Sequence, residues 1–511
     1  MLVQQYLEKS AEKFPDKLAL VCDNQRLCYA EIDKKANKLA NALIRKGIQR
    51  SDRVVIYLPN SVESVVSIFA ILKTMGIFVV VNPTTKKDKL IYILNNCKAA
   101  ALITSARNIH IAAEVQEKAV SLKSIILCGA NENQDHFQKI DTVYSFNELL
   151  NSASSESPDC RNIDQDLACL IYTSGSTGDP KGVMSGHNNV NFASNSIITY
   201  LENTPDDIVI NVLPLSFDYG LYQLLMTFRF SGTLILEKSF TYPAQVLTKI
   251  GSEKVTGFPG VPTMFSILVQ MDTGKFNLKT LRYITNTAAA LPPKHIVELK
   301  NKFPWVTIYS MYGLTETKRT LYLPPDQLNN KPGSVGIAIP GTEVWLEDDK
   351  GIRLGPNEVG ELVIRGSHVM RGYWGDPIST EKVYKPGPTV GERILYSGDL
   401  FRMDEDGYLY FVSRKDDIIK SRGEKVSPKE VETIIYSLEG ILEAAVVGVP
   451  DKILGQAIKA FIVSNDPNID EKTVKHHCSK YLEDFMIPHY VEFRKELPKT
   501  SSGKIRGKDL K

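Results

Sequence analysis

Thr173-Ser174-Gly175-Ser176-Thr177-Gly178-Asp179-Pro180-Lys181-Gly182 follows directly on the apolar run Leu167-Ala168-Cys169-Leu170-Ile171-Tyr172. The ten residues hold three glycines, four hydroxyls and one lysine. Glycines let backbone N–H groups turn toward a guest, hydroxyls donate hydrogen bonds, and the lysine adds positive charge. That combination suits a polyphosphate. Most Gly/Ser-rich segments are flexible surface turns, but few of those also carry Pro-Lys-Gly. Two better-known glycine loops are excluded. A P-loop needs Gly-Lys followed by Ser or Thr, and Lys181 follows Pro180. The hydrolase elbow needs Gly-x-Ser-x-Gly, whereas Gly175 directly precedes Ser176.

Around this loop, 511 residues allow two to four domains and a large core. Hydrophobic content of 43% and charged content of 23% are those of an ordinary globular protein. With 61 basic and 59 acidic residues the formal net charge is +2, so nothing calls for nucleic acid or an anionic membrane as partner. Seven cysteines lie scattered with no Cys-x-x-Cys pair, which argues against a disulfide framework and a structural zinc site. The N-terminus lacks the pattern of a signal peptide, and the longest apolar stretches are too short to span a bilayer. A cytoplasmic protein is expected.

Strand-like runs at 54–58, 78–81, 100–104, 124–127, 208–213, 233–236 and 281–285 alternate with amphipathic helices, first over 29–48 and 61–74. This is the pattern of α/β units on a largely parallel sheet. From about residue 340, short alternating strands at 343–346, 360–364 and 408–412 predict an antiparallel β module. Helix and strand signals at 428–438, 441–449, 457–463 and 471–484 predict a small α+β domain. The polar stretch 415–425 reads as the junction between them.

Three further segments carry chemistry. Met311-Tyr312-Gly313-Leu314-Thr315-Glu316-Thr317 puts an aromatic, a glycine, a hydroxyl and a carboxylate in one loop, suited to a base, a phosphate and a metal. Tyr396-Ser397-Gly398-Asp399-Leu400 offers a carboxylate for ribose hydroxyls, and Arg414 stands fifteen residues beyond Asp399. Leu497-Pro498-Lys499-Thr500-Ser501-Ser502-Gly503-Lys504-Ile505-Arg506 sets a lysine on a small turn, shaped to push an ammonium into a cleft.

In this order and at these separations the four segments resemble the adenylate-forming superfamily, whose members include acyl-CoA synthetases, amino-acid adenylation enzymes and luciferases. The resemblance implies a large N-terminal core over 1–412 made of α/β subdomains plus a β module. It implies a hinge at 413–420 about Asp416, and a small mobile α+β domain over 421–511. It implies ATP and Mg²⁺. Thr173, Ser174, Gly175, Ser176, Thr177, Gly178 and Lys181 would hold the β- and γ-phosphates, and Met311, Tyr312 and Gly313 would meet the adenine, with Ala289 and Ala290 standing where the family's adenine-side loop is glycine-rich. Thr315 would touch the α-phosphate, Glu316 would bind the metal, and Asp399 and Arg414 would hold the ribose. Lys504 would contact the substrate carboxylate and the α-phosphate. Gly423 would line the tunnel for a pantetheine thiol.

For the acid, Asp218 falls where amino-acid-activating members place an aspartate against the substrate's α-amino group. A buried carboxylate facing an ammonium offsets its own desolvation, whereas in an acyl pocket it would stand unpaired. Tyr219, Tyr222, Asn286, Met311, Arg319 and Thr320 are the remaining pocket candidates, and the two tyrosines favour a compact substrate. The expectation is therefore activation of a small amino acid, such as L-proline, for a separate carrier protein. The alternative is an acyl- or aryl-CoA ligase. His187, close behind the phosphate loop, is read as a packing residue.

Overall fold

Long aliphatic runs, buried on both faces, build two largely parallel sheets. The computed structural model describes residues 1–129, 142–173, 179–287, 291–421, 424–451, 454–500 and 505–510. One sheet has seven strands, ordered Val143–Ser145, Ser124–Cys128, Ala99–Ser105, Arg53–Tyr57, Ile77–Val80, Leu167–Thr173 and Lys181–Gly186, all parallel except the last pair. The other has nine strands. Its parallel centre runs Thr307–Tyr312, Tyr283–Asn286, Gly257–Gly260, Ile208–Asn211, Thr233–Leu236 and Leu18–Cys22, with antiparallel strands at both edges.

Helices packed in one core join the two sheets. Helix Val62–Lys73 is capped by Ser61, whose hydroxyl accepts Ser64 N–H, and every residue but Glu63 is buried. Helix Asp218–Arg229 is buried along all but its last residue. Being apolar nearly all round, each must lie inside the fold rather than on it. Phe228 stacks on Phe69 at 5.1 Å and meets Tyr29, from helix Tyr29–Arg45, edge-on at 5.3 Å. Gly220 lets the start of the central helix sit against its own entry loop, for a Cβ there would lie 2.4 Å from the Pro214 carbonyl oxygen.

The predicted β module is present as strands Glu343–Glu347, Val359–Arg365, Tyr384–Pro386, Arg393–Met403 and Leu409–Arg414. The C-terminal unit is a mixed sheet of five strands with helices Pro428–Ser437 and Glu471–Ser479 on it. The polar stretch 415–425, read as a junction, is partly built into the C-terminal sheet. Ile419–Ser421 and Glu424–Val426 form a hairpin in the C-terminal sheet, leaving the exposed turn at 415–417 between the two units. No helix is long and apolar enough to cross a membrane among the described residues, and all seven cysteines are free.

His187 is a packing residue. Val3 N–H donates to its Nδ1 at 3.0 Å and the Asn162 amide meets Nε2 at 2.9 Å, pinning the N-terminus to the helix His187–Leu201. Burial pushes the imidazoles of His187 and His295 down to about 4 and that of His368 to about 3. A folded value below the ordinary one of about 6.5 means that the unfolded chain takes up protons first. Stability is therefore fully present above pH 6.5 and drains as the pH falls toward 4. Urea unfolding at pH 7.5, 6 and 4.5 should show this loss, and His368→Leu should flatten it. An unchanged slope in that variant would mean that His368 is not a source.

Candidate active site

Thr173, Asn286 and Tyr312 stand at the carboxyl ends of parallel strands, the usual ligand side of such sheets. Leu167–Thr173 pairs antiparallel with Lys181–Gly186, placing Thr173 directly opposite Lys181 across the mouth of the glycine loop. Lys181 Nζ donates to Ser379 Oγ at 2.6 Å, stands 3.8 Å from Asp376 and lies 5.3 Å from the centre of the Tyr373 ring. These partners arrive because residues 371–374 dock on the hairpin's edge. Arg371 N–H donates to Met184 O, Met184 N–H to Gly372 O, and Trp374 N–H to Gly182 O. Tyr373 then donates to Glu316 Oε1 at 2.7 Å.

Tyr312 ends its strand with the hydroxyl donating to Asp399 Oδ2 at 2.6 Å, and its ring edge packs on Phe401 at 4.9 Å. Asp399 and Arg414 are cross-strand partners, with Arg414 Nε 3.6 Å from Asp399 Oδ1. Burial and the neighbouring Asp399 charge raise the Tyr312 phenol well above its ordinary value, so it stays a donor. Beyond Tyr312 the chain doubles back. A Cβ on Gly313 would lie 2.1 Å from the Lys318 carbonyl oxygen, so only glycine fits. Lys318 is left-handed at φ +67, and its ammonium donates to the Thr315 carbonyl at 3.1 Å.

The pocket candidates sit beside this turn. Tyr219 donates to the Thr285 carbonyl at 2.8 Å, and Arg319 lies 4.4 Å from its ring centre. Tyr222 is fully buried, with Lys318 Nζ 5.7 Å from its ring centre. Met311 Sδ accepts the Tyr200 hydroxyl, and Asn286 closes its strand, fully buried. Thr320 departs from expectation: its hydroxyl pairs with that of Thr317 at 2.8 Å, so it faces the protein rather than a substrate. Asp218 is buried at the start of helix Asp218–Arg229. Burial lowers the pKa of the Lys318 ammonium, and the Asp218 charge opposes that lowering. A cation of the chain thus shares the neighbourhood expected for a substrate amine.

A family model described as AMP-binding enzyme matches residues 7–374, and one described as AMP-binding enzyme C-terminal domain matches residues 430–504. The chain belongs to the AMP-binding enzyme family. It is 32% identical to a long-chain-fatty-acid–CoA ligase of Bacillus subtilis, over 98% of this chain and 93% of that one. It is 31% identical to a feruloyl-CoA synthase of Amycolatopsis, over 97% of this chain and 96% of that one. An anthranilate CoA ligase, AuaEII, solved in complex with anthranoyl-AMP, superposes with TM-score 0.91 at 26% identity over 100% of this chain and 96% of that one. An o-succinylbenzoate CoA synthetase from Bacillus subtilis, solved with ATP and a magnesium ion, has TM-score 0.84 at 26% identity over 98% of both chains.

This AMP-binding enzyme is an AMP-forming ligase, and its family uses ATP. Glu316 has the chemistry of a magnesium ligand: a carboxylate with one oxygen oriented by the Tyr373 hydroxyl. Magnesium takes few protein oxygens and completes its shell with phosphate and water. Ser174, Gly175, Ser176, Thr177, Gly178, Ala289, Ala290, Gly423 and Lys504 lie outside the described residues. Tyr373, Asp376, Ser379, Tyr200 and Lys318 were not legible as site residues, since they reach it from distant segments or, for Lys318, by a backbone reversal. Tyr312→Phe removes the short hydrogen bond to Asp399. The KM for ATP should rise about tenfold, the equivalent of about 1.4 kcal/mol. An unchanged KM would mean that this bond does not shape the nucleotide site.

Proposed function

We propose that this enzyme joins a compact carboxylic acid to coenzyme A in two steps. The acid's oxygen attacks the α-phosphorus of ATP, the bond to the β-phosphate oxygen breaks, and pyrophosphate leaves an acyl-adenylate. The thiol of coenzyme A then loses its proton and attacks the acyl carbon, and AMP departs. No side-chain nucleophile is needed, for positioning and charge stabilisation carry such chemistry. The observation that favours an acid without an amine is the buried Lys318 side chain, 5.7 Å from the Tyr222 ring centre, which would set like charge against a substrate ammonium. Similarity points the same way: the chain matches CoA ligases over 93% or more of their length.

In this reading Thr173, residues 174–178 and Lys181 cradle the outer phosphates, while Lys181 exchanges its contacts with Ser379 and Asp376 for phosphate oxygens. Tyr312, Met311, Gly313, Ala289 and Ala290 form the adenine side, and Asp399 and Arg414 take the ribose. Thr315 meets the α-phosphate and Glu316 holds magnesium, whose charge would offset that of the phosphate oxygens. Lys504 bridges the acid and the α-phosphate in the first step. The C-terminal unit then turns about Asp416, in the exposed turn at 415–417, and Gly423 lines the thiol's path.

ATP–pyrophosphate exchange should appear with simple aliphatic or aromatic acids, and adding coenzyme A should yield their thioesters. Exchange confined to amino acids, with transfer only to a carrier protein, would overturn this reading in favour of amino-acid activation. Lys504→Ala should lower exchange at least a hundredfold while preformed acyl-adenylate is still converted to thioester. Equal loss of both half-reactions would contradict the role given to Lys504.

A further inference from the structure

Resting on that ligase reading, we infer that the acid carries a second, anionic group at its far end, a dicarboxylic acid in the simplest case, and that Arg319 receives it. Arg319 is only 3% exposed. A guanidinium offers five N–H donors in a flat fork. Among the described residues one side-chain donation is made, from Nη1 to the Lys318 carbonyl at 2.7 Å, and Nε is buried with no acceptor. One face of the fork is covered by the Tyr219 ring at 4.4 Å, which holds it flat and leaves its edge for a carboxylate. Its charge acts on the phenols of Tyr200, Tyr219 and Tyr222, which places it among the aromatic residues of the acid pocket and not at the surface.

Charge balance points to an anion as well. Lys318 and Arg319 are both buried, and no carboxylate oxygen of the described residues lies within 4.0 Å of either. Burial lowers the pKa of the Lys318 ammonium, and the charges of Asp218 and Glu316 act against that lowering. Arg319 has no carboxylate in contact among the described residues, a costly arrangement unless a ligand supplies the partner. The backbone adds to the cost. Lys318 adopts φ +67, where glycine would sit without strain. A purely structural arginine would spend its donors on carbonyls around it.

The measurement is pyrophosphate exchange without coenzyme A, on pairs matched in length: glutarate against valerate, and terephthalate against 4-methylbenzoate. The wild-type protein should favour the diacid of at least one pair by about tenfold to a hundredfold in kcat/KM, the scale of a charged hydrogen bond left unmade. Arg319→Met should collapse that ratio toward one, and Arg319→Lys should retain part of it. The KM for ATP should stay constant throughout, which separates loss of the anion's partner from misfolding. Monoacids exchanging as well as diacids in every pair, or Arg319→Met lowering both members equally, overturns the inference and leaves the ligase reading standing. No exchange with any acid overturns both. Exchange with diacids but no thioester on adding coenzyme A overturns only the choice of acceptor.

Discussion

The close return of residues 313–319, in which the Lys318 carbonyl packs where a Gly313 side chain would be, organises the whole site. From this one reversal Tyr312 is left pointing at Asp399, Glu316 at Tyr373, Lys318 at Tyr222 and Asp218, and Arg319 at the Tyr219 ring. The residues proposed for the nucleotide, the metal and the acid thus share a single turn of backbone. The strand Thr307–Tyr312 anchors it from one side through its pairing with Tyr283–Asn286 and with Leu321–Leu323. A helix or an open loop in its place would scatter these side chains in different directions.

Charge economy within the fold explains why the substrate expectation moved. Asp218 in an acyl pocket is costly only if nothing in the protein answers it. Lys318, one hundred residues away in the chain, is a buried cation on which the Asp218 charge acts. The same logic makes Arg319 informative: a buried guanidinium with no carboxylate in contact among the described residues leaves room for a ligand to supply one. Lys73 offers the contrast. It too is buried, but Glu8 at 2.8 Å and Asp33 at 3.0 Å close its account inside the protein, and it needs no guest.

Much of the fold was legible. Aliphatic runs bounded by turn residues marked the parallel strands, because strands buried on both faces must be apolar throughout. Helices 29–45 and 62–73 announced themselves by periodicity and by composition. The hairpin Leu18–Cys22 with Gln25–Cys28 escaped notice, since its second strand is short and polar. The hairpin within 415–425 was hidden for a related reason: its exposed edge looks like a solvated linker. Thr173, Lys181, Tyr312, Asp399 and Arg414 were readable as candidates for the nucleotide side because each lies in a short local pattern of hydroxyl, glycine or charge. Tyr373, Tyr200 and Ser379 were not, for nothing nearby in the chain tells an aromatic or a serine which loop it will meet.

Local chemistry by itself determined the family, the α/β architecture and the demand for ATP, since glycine-lined loops and strand-end carboxylates keep their meaning wherever they are placed. Tertiary structure alone decided on which cation the Asp218 charge would act, which hydroxyl would orient Glu316, and that Arg319 would be buried with donors to spare. The reason is distance along the chain: electrostatic pairing acts through space, and residues a hundred positions apart become neighbours only when two sheets and a helical layer have packed.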